Sequence, residues 1–274
     1  MDYIKTKDDF SMFKYDGVQA MRIGRLDYAI ECFERALAIQ DDSETHRFYA
    51  QALISSNDLE GAEEELELVR KAEPENLDNL IGLADLYFQT ENYEKVNEIC
   101  NEALNIDASL CMPHYILAKS CFAQKDFINA IAQVTMSISA KDDFYDAYTL
   151  RCRILCAMQQ YAEAEKDIDI VLENTEEDDE TLLLKAEICD SLNKADEAEE
   201  LYKKVIEYNP FVPDAYLKLG ALMMRQGRKK EAEELAKEAM EYAPQAMDDI
   251  NGEFTNWEQK MKESYSAIDP FGLN

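Results

Sequence analysis

The chain has few helix breakers and little positive charge. Its 274 residues include only 8 glycines and 6 prolines, and runs of β-branched residues are short. That scarcity disfavours a strand-and-turn architecture and points to helices. Lysine and arginine total 28 against 58 aspartates and glutamates, a net charge of -30. Nucleic acid and anionic membrane surfaces are bound through basic density, so neither is expected as a partner. The charge suits basic partners and keeps an extended surface in solution. No run approaches the roughly 18 apolar residues of a membrane span. The stretch Met1-Asp2-Tyr3-Ile4-Lys5-Thr6-Lys7 lacks the apolar core of a secretory signal. Seven cysteines form no CxxC pair. In a chain of this size they read as free thiols of a reducing compartment, and a cytoplasmic location is expected.

Catalytic signatures are missing too. No HExxH, P-loop, GxSxG or GxGxxG occurs, and the two histidines, His46 and His114, stand far apart in sequence. Pairs of Asp and Glu abound in a chain with 58 acidic residues, so such pairs carry no catalytic information. The chain reads as a non-enzyme with no catalytic residue, no metal and no cofactor.

What the chain does have is a repeat. Small residues recur at Gly17, Ala50, Ala84, Ala118, Cys152, Ala186 and Gly220, in one step of 33 and five of 34. A second column in the same steps holds Ala29, Ala62, Val96, Ala130, Ala164, Ala198 and Ala232. A third holds Phe33, Leu66, Cys100, Val134, Ile168, Tyr202 and Ala236, and a fourth Ala36, Val69, Ala103, Ser137, Val171, Val205 and Ala239. Three units close with proline, at Pro74, Pro210 and Pro244, where it stops a helix and opens a turn. Cys152 and Cys156 lie four apart on one helix, a spacing two metal ligands could share. Cys152 occupies the small packing column, however, and structural zinc wants four ligands, so packing is the favoured reading. Cys121 and Cys189 also fall in a core column.

A 34-residue helix–turn–helix with this small-and-large pattern resembles the tetratricopeptide repeat family. The resemblance implies an all-α solenoid of about seven such repeats, wound as a right-handed superhelix with a C-terminal capping helix. The repeats would span 10–42, 43–76, 77–110, 111–144, 145–178, 179–212 and 213–244, after an N-terminal segment 1–9. The sequence departs from the family where Asp41, Ala108, Asp142 and Glu176 replace the closing proline. Each unit would pack only on its neighbours, with first helices lining the inner face. Asp8 and Asp9 are N-cap candidates for a helix starting at Phe10. The run Glu176-Glu177-Asp178-Asp179-Glu180 fits a loop and the first turn of the next helix, where anions suit the helix dipole. Met247, Ile250, Phe254, Trp257 and Met261 form an amphipathic stripe expected to cap the array over 245–265, with an irregular tail at 266–274.

The inner face carries the candidate site. One inner column reads Met21, Ile54, Phe88, Phe122, Cys156, Asp190 and Met224; another reads Lys14, Arg47, Ile81, Tyr115, Thr149, Leu183 and Leu217. Ile81, Phe88, Tyr115 and Phe122 make its middle apolar and aromatic, a composition favoured at interfaces or tucked between helices. A third column places Lys119 and Arg153 between Asp85 and Glu187. The two cations could hold a peptide carboxylate, or pair internally, Lys119 with Asp85 and Arg153 with Glu187. One family subgroup clamps the terminal carboxylate of heat-shock chaperones through set lysines and asparagines. Lys14 matches the first lysine, but Val18 and Phe48 stand where asparagines are expected, so that partner is not implied. The densest basic stretch, Arg225, Arg228, Lys229 and Lys230, is offset by Glu231, Glu233 and Glu234. The expected function is a non-catalytic module that binds another protein or a peptide in its groove, as a monomer or weak oligomer. The alternative is a structural subunit of a larger complex, using its C-terminal helix or outer face.

Overall fold

A computed structural model describes residues 7–242, which form helices joined by short turns; among the described residues there is no strand. The helices are α1 (Lys7–Arg22), α2 (Leu26–Leu37), α3 (Ser43–Ser55), α4 (Leu59–Ala72), α5 (Leu77–Gln89), α6 (Tyr93–Ile106) and α7 (Cys111–Ala123). They continue as α8 (Phe127–Ala140), α9 (Tyr145–Ala157), α10 (Tyr161–Asn174), α11 (Asp179–Ser191), α12 (Ala195–Tyr208), α13 (Pro213–Arg225) and α14 (Lys229–Tyr242). Odd- and even-numbered helices pack as pairs, from α1 on α2 to α13 on α14. The chain divides into two compact units between Phe144 and Tyr145. The expected capping stripe from Met247 to Met261 and the tail from Ser266 to Asn274 lie outside the described residues.

The packing columns explain why the pairs form. Ala29, Ala62, Val96, Ala130, Ala164 and Ala198 are fully buried, and Ala232 is nearly so. The larger column beside it, Phe33, Leu66, Cys100, Val134, Ile168 and Tyr202, is buried as well. Small residues let two helices approach, and large ones fill what remains. Gly17 shows how tight the approach is: a Cβ there would lie 2.6 Å from the Phe33 ring. Leu53, Leu66, Leu80, Leu83, Ile99 and Ile116 join one core in the first compact unit. Burying a leucine or isoleucine side chain contributes about 1.5–3 kcal/mol.

The turn inside each pair repeats one backbone conformation. Gly24, Asn57, Glu91, Lys125, Gln159, Asn193 and Gly227 all have φ between 56° and 77°. These positions again run in one step of 33 and five of 34, so the left-handed turn is part of the repeat. The amide after each turns back into the first helix, as from Asp58 to the Leu53 carbonyl at 2.8 Å and from Asn92 to that of Tyr87 at 2.8 Å. These bonds satisfy carbonyls that the helix end would otherwise leave open.

Two local expectations are corrected. Helix α1 already contains Lys7, so Asp8 and Asp9 lie in its first turn, where they suit the dipole, and do not cap it. Cys121 is only half-buried, whereas Cys189 is fully buried. The acidic run behaves as expected: the Asp178 carboxylate caps α11, accepting from the Thr181 amide at 2.8 Å, and Asp179 and Glu180 fill the first turn.

Candidate functional site

The first helices of successive pairs touch in the first compact unit, α1 on α3 and α5 on α7. Helices α5 and α7 therefore present matched rows, because positions 34 apart share a register. Ile81 matches Tyr115, Asp85 matches Lys119, and Phe88 matches Phe122. All six are half-buried. Ile81 and Phe88 rest on the core below while keeping an exposed edge. The alternatives of tucked and exposed are thus both partly realised in each side chain.

Lys119 sits at the centre of these rows. Its Nζ lies 3.4 Å from Asp85 Oδ1, 4.3 Å from the Phe88 ring centroid and 5.8 Å from that of Tyr115. An ammonium over an aromatic face is attracted by the ring quadrupole. The Asp85 side chain is 45% exposed, and such a surface pair contributes only about 0–1 kcal/mol. An incoming carboxylate could replace Asp85 at small cost while the rings hold the lysine in place. The rings are themselves braced: Phe88 by Tyr93 at 6.4 Å, Tyr115 by Phe144 at 4.9 Å edge-on, and Phe122 by Phe127 at 6.0 Å. Tyr93 and Phe127 are bracing residues that the column reading missed. Their signal was the aromatic series Tyr93, Phe127 and Tyr161 at steps of 34, each opening a second helix.

Arg153 belongs to the second compact unit and is described there. Its guanidinium pairs with Glu180. The expected partner, Glu187, is instead taken by Lys218 one pair further on. Asp190, in the otherwise apolar column, pairs with Arg225. The inner row of the second unit is therefore held by ion pairs, where that of α5 and α7 is aromatic.

The possible metal ligands are already engaged. Glu165, Cys189 and Glu197 bring ligand atoms within 4.8 Å of one another. Lys185 Nζ lies 2.9 Å from Glu165 and 2.8 Å from Asp169, and Lys194 Nζ lies 2.6 Å from Glu165. Two ammonium groups thus neutralise the cluster, which is an ion-pair network. Cys152 is fully buried, and a hydrogen bond to Cys156 together with burial pushes its thiol well up. That favours the neutral thiol of a packing residue over a thiolate ligand.

Residues 191–250 match the family model "Tetratricopeptide repeat". Residues 55–137 match "Anaphase-promoting complex, cyclosome, subunit 3". No curated protein matches the chain. Among solved structures, a tetratricopeptide repeat protein from Parabacteroides merdae is 18% identical over 84% of each chain, with a TM-score of 0.62. YrrB, described as a TPR protein with an unusual peptide-binding site, is 18% identical, with a TM-score of 0.57, over 69% of this chain and 97% of its own. The APC/C hetero-tetramer Cut9-Hcn1 is 10% identical, with a TM-score of 0.64, over 84% of this chain and 46% of the other. Residues 191–250 are thus similar to the tetratricopeptide repeat family, and the fold is shared with solved tetratricopeptide repeat proteins.

The helical repeats here use their charges mainly on one another. Lys14, the one match to the chaperone clamp, is bound by Asp42 at 2.8 Å and Glu44 at 2.6 Å. In the basic stretch, Arg225 meets Asp190 and Arg228 meets Glu199 and Glu231. No helix among the described residues is long and apolar enough to cross a membrane.

Proposed function

We propose that this chain is a non-catalytic interaction module that receives a peptide segment of another protein along α5 and α7. The observation that carries the reading is the half-buried set Ile81, Phe88, Tyr115 and Phe122 around Lys119. Aromatic residues on rigid helices are favoured interface anchors. An apolar side chain of the peptide would rest on Phe88 and Phe122. A neighbouring carboxylate, from an acidic residue or the peptide end, would take Lys119 from Asp85. Arg153, within the second compact unit, is a separate cation whose exposed pair with Glu180 a carboxylate could replace in the same way. The unusual peptide-binding site ascribed to YrrB supports this use of the fold. Seven free cysteines support a reducing, cytoplasmic setting.

The test is a selection of displayed random peptides on the intact chain, followed by affinity measurements with Phe88→Ala and Lys119→Glu. Either change removes an anchor, and a loss of about tenfold or more is expected. Selected peptides that bind both variants as tightly as the intact chain would refute the site.

A second reading, an assembly subunit of a larger complex, draws on one observation. The stretch 55–137 matches an anaphase-promoting complex subunit, and Cut9-Hcn1 comes from such an assembly. Under this reading the outer face makes the permanent contacts, and no short peptide would be selected.

A further inference from the structure

Helix α8 differs from the other second helices. Its sequence, FINAIAQVTMSISA, contains no charged residue, whereas α2, α4, α6, α10, α12 and α14 each carry several. Its buried stripe, Ala130, Val134 and Ser137, packs within the first compact unit. On the other side Ile128 is 79% exposed and Met136 50% exposed, with Ala132, Thr135, Ser139 and Ala140 exposed between and beyond them. An apolar solvent face on a chain of charge -30 needs an occupant.

We infer that this face is where a second copy of the chain docks, α8 against α8, antiparallel about a two-fold axis. Two such acidic chains repel each other, so a self-contact must fall where carboxylates are absent. A two-fold contact must also be self-complementary. Pairing Ile128 with Ala140 sets Ala132 against Met136, so each large side chain meets a small one. The charged residues Lys125, Asp126, Lys141, Asp142 and Asp143 flank the helix ends and lie at the rim, where Lys141 Nζ is 3.8 Å from Asp143 of its own chain. A basic partner would find its charge matched on the acidic helices instead. The face of one helix about 21 Å long is small, so the dimer is weak, with Kd of about 10 µM or above.

Sedimentation equilibrium on the full chain tests this from about 10 to 500 µM. The average mass should rise from 31.5 kDa towards twice that value. It should rise further with added salt, which screens the repulsion and spares apolar contact. Ile128→Lys and Ala140→Glu, both at exposed positions, should each remain monomeric at every concentration, with unchanged helical circular dichroism. Mixed in equal amounts they should recover the dimer, because the new ammonium at 128 then meets the new carboxylate at 140. A monomeric intact chain, a dimer that Ile128→Lys leaves intact, or a mixture that stays monomeric would each overturn the inference.

Discussion

The two compact units use one register in opposite ways. Leu83 and Leu117, in the first, are buried apolar residues on α5 and α7. Arg151 and Lys185, 34 and 68 residues after Leu117, hold the same place on α9 and α11. The cations are tolerated because the second helix of each pair changes with them. Asp167 receives Arg151 in a two-pronged bond at 2.6 and 2.7 Å, where Gln133 and Ile99 stand in the earlier repeats. Glu165 and Asp169 receive Lys185. The repeat thus specifies volume and contact at this position, and it accepts charge only when the facing helix supplies the opposite sign. A buried pair of this kind is a poor source of net stability, but breaking it is costly.

The largest expected effect comes from removing one partner. Arg151→Leu leaves Asp167, 5% exposed, without its cation and should destabilise α9 and α10 by about 3–5 kcal/mol. Adding Asp167→Leu should recover most of that loss. Hydrogen exchange within these two helices reads both, and a double variant no more stable than the single one would break the comparison. The converse transplant sharpens it. Leu117→Arg alone buries a charge beside Gln133 and should cost about 3 kcal/mol or more, while Gln133→Asp added to it should restore a good part of the loss.

Acid gives a smaller effect, concentrated in the second unit. Burial alone would raise the Glu165 carboxyl, but Lys185 and Lys194 more than offset it and hold it below its ordinary value. The Arg228 guanidinium, with Lys203, holds Glu199 down at about 2. A carboxyl depressed on folding contributes stability fully above its unfolded value of about 4.3, and the contribution is lost as pH falls through the folded value. The protection factors of α12 amides, taken relative to the intrinsic exchange rate at each pH, should therefore fall from about pH 4 to pH 2. Lys185 is shifted upward by these carboxylates despite its burial, so its own contribution holds through neutral pH and is lost only in strong alkali. The smallest effect concerns the turns. Glu91, Lys125 and Gln159 adopt the left-handed backbone that glycine takes freely at Gly24 and Gly227. Glycine at each of the three should stabilise by about 0.5–1 kcal/mol, visible as a stepwise rise in Tm across single, double and triple variants.

Much of this was legible at the level of spacing. The columns through Ala29, Phe33 and Ala36 named the residues that pack between helices, because steric volume repeats with the backbone. The α5 and α7 rows were legible for the same reason. Ion pairing was not. Arg153 reaches Glu180 in the first turn of α11, not its column neighbour Glu187, because a long flexible side chain serves the nearest acceptor and not the repeat. The left-handed turns were hidden because only Gly24 and Gly227 mark them by residue type. The bare face of α8 was hidden too, since period alone does not reveal an absence of charge.

The most direct test of the peptide site is amide hydrogen exchange of the intact chain with and without a selected peptide. Protection confined to α5 and α7, and lost with Phe88→Ala, is the predicted result. Protection centred on α6 or α8, with α5 and α7 unchanged, would contradict the account.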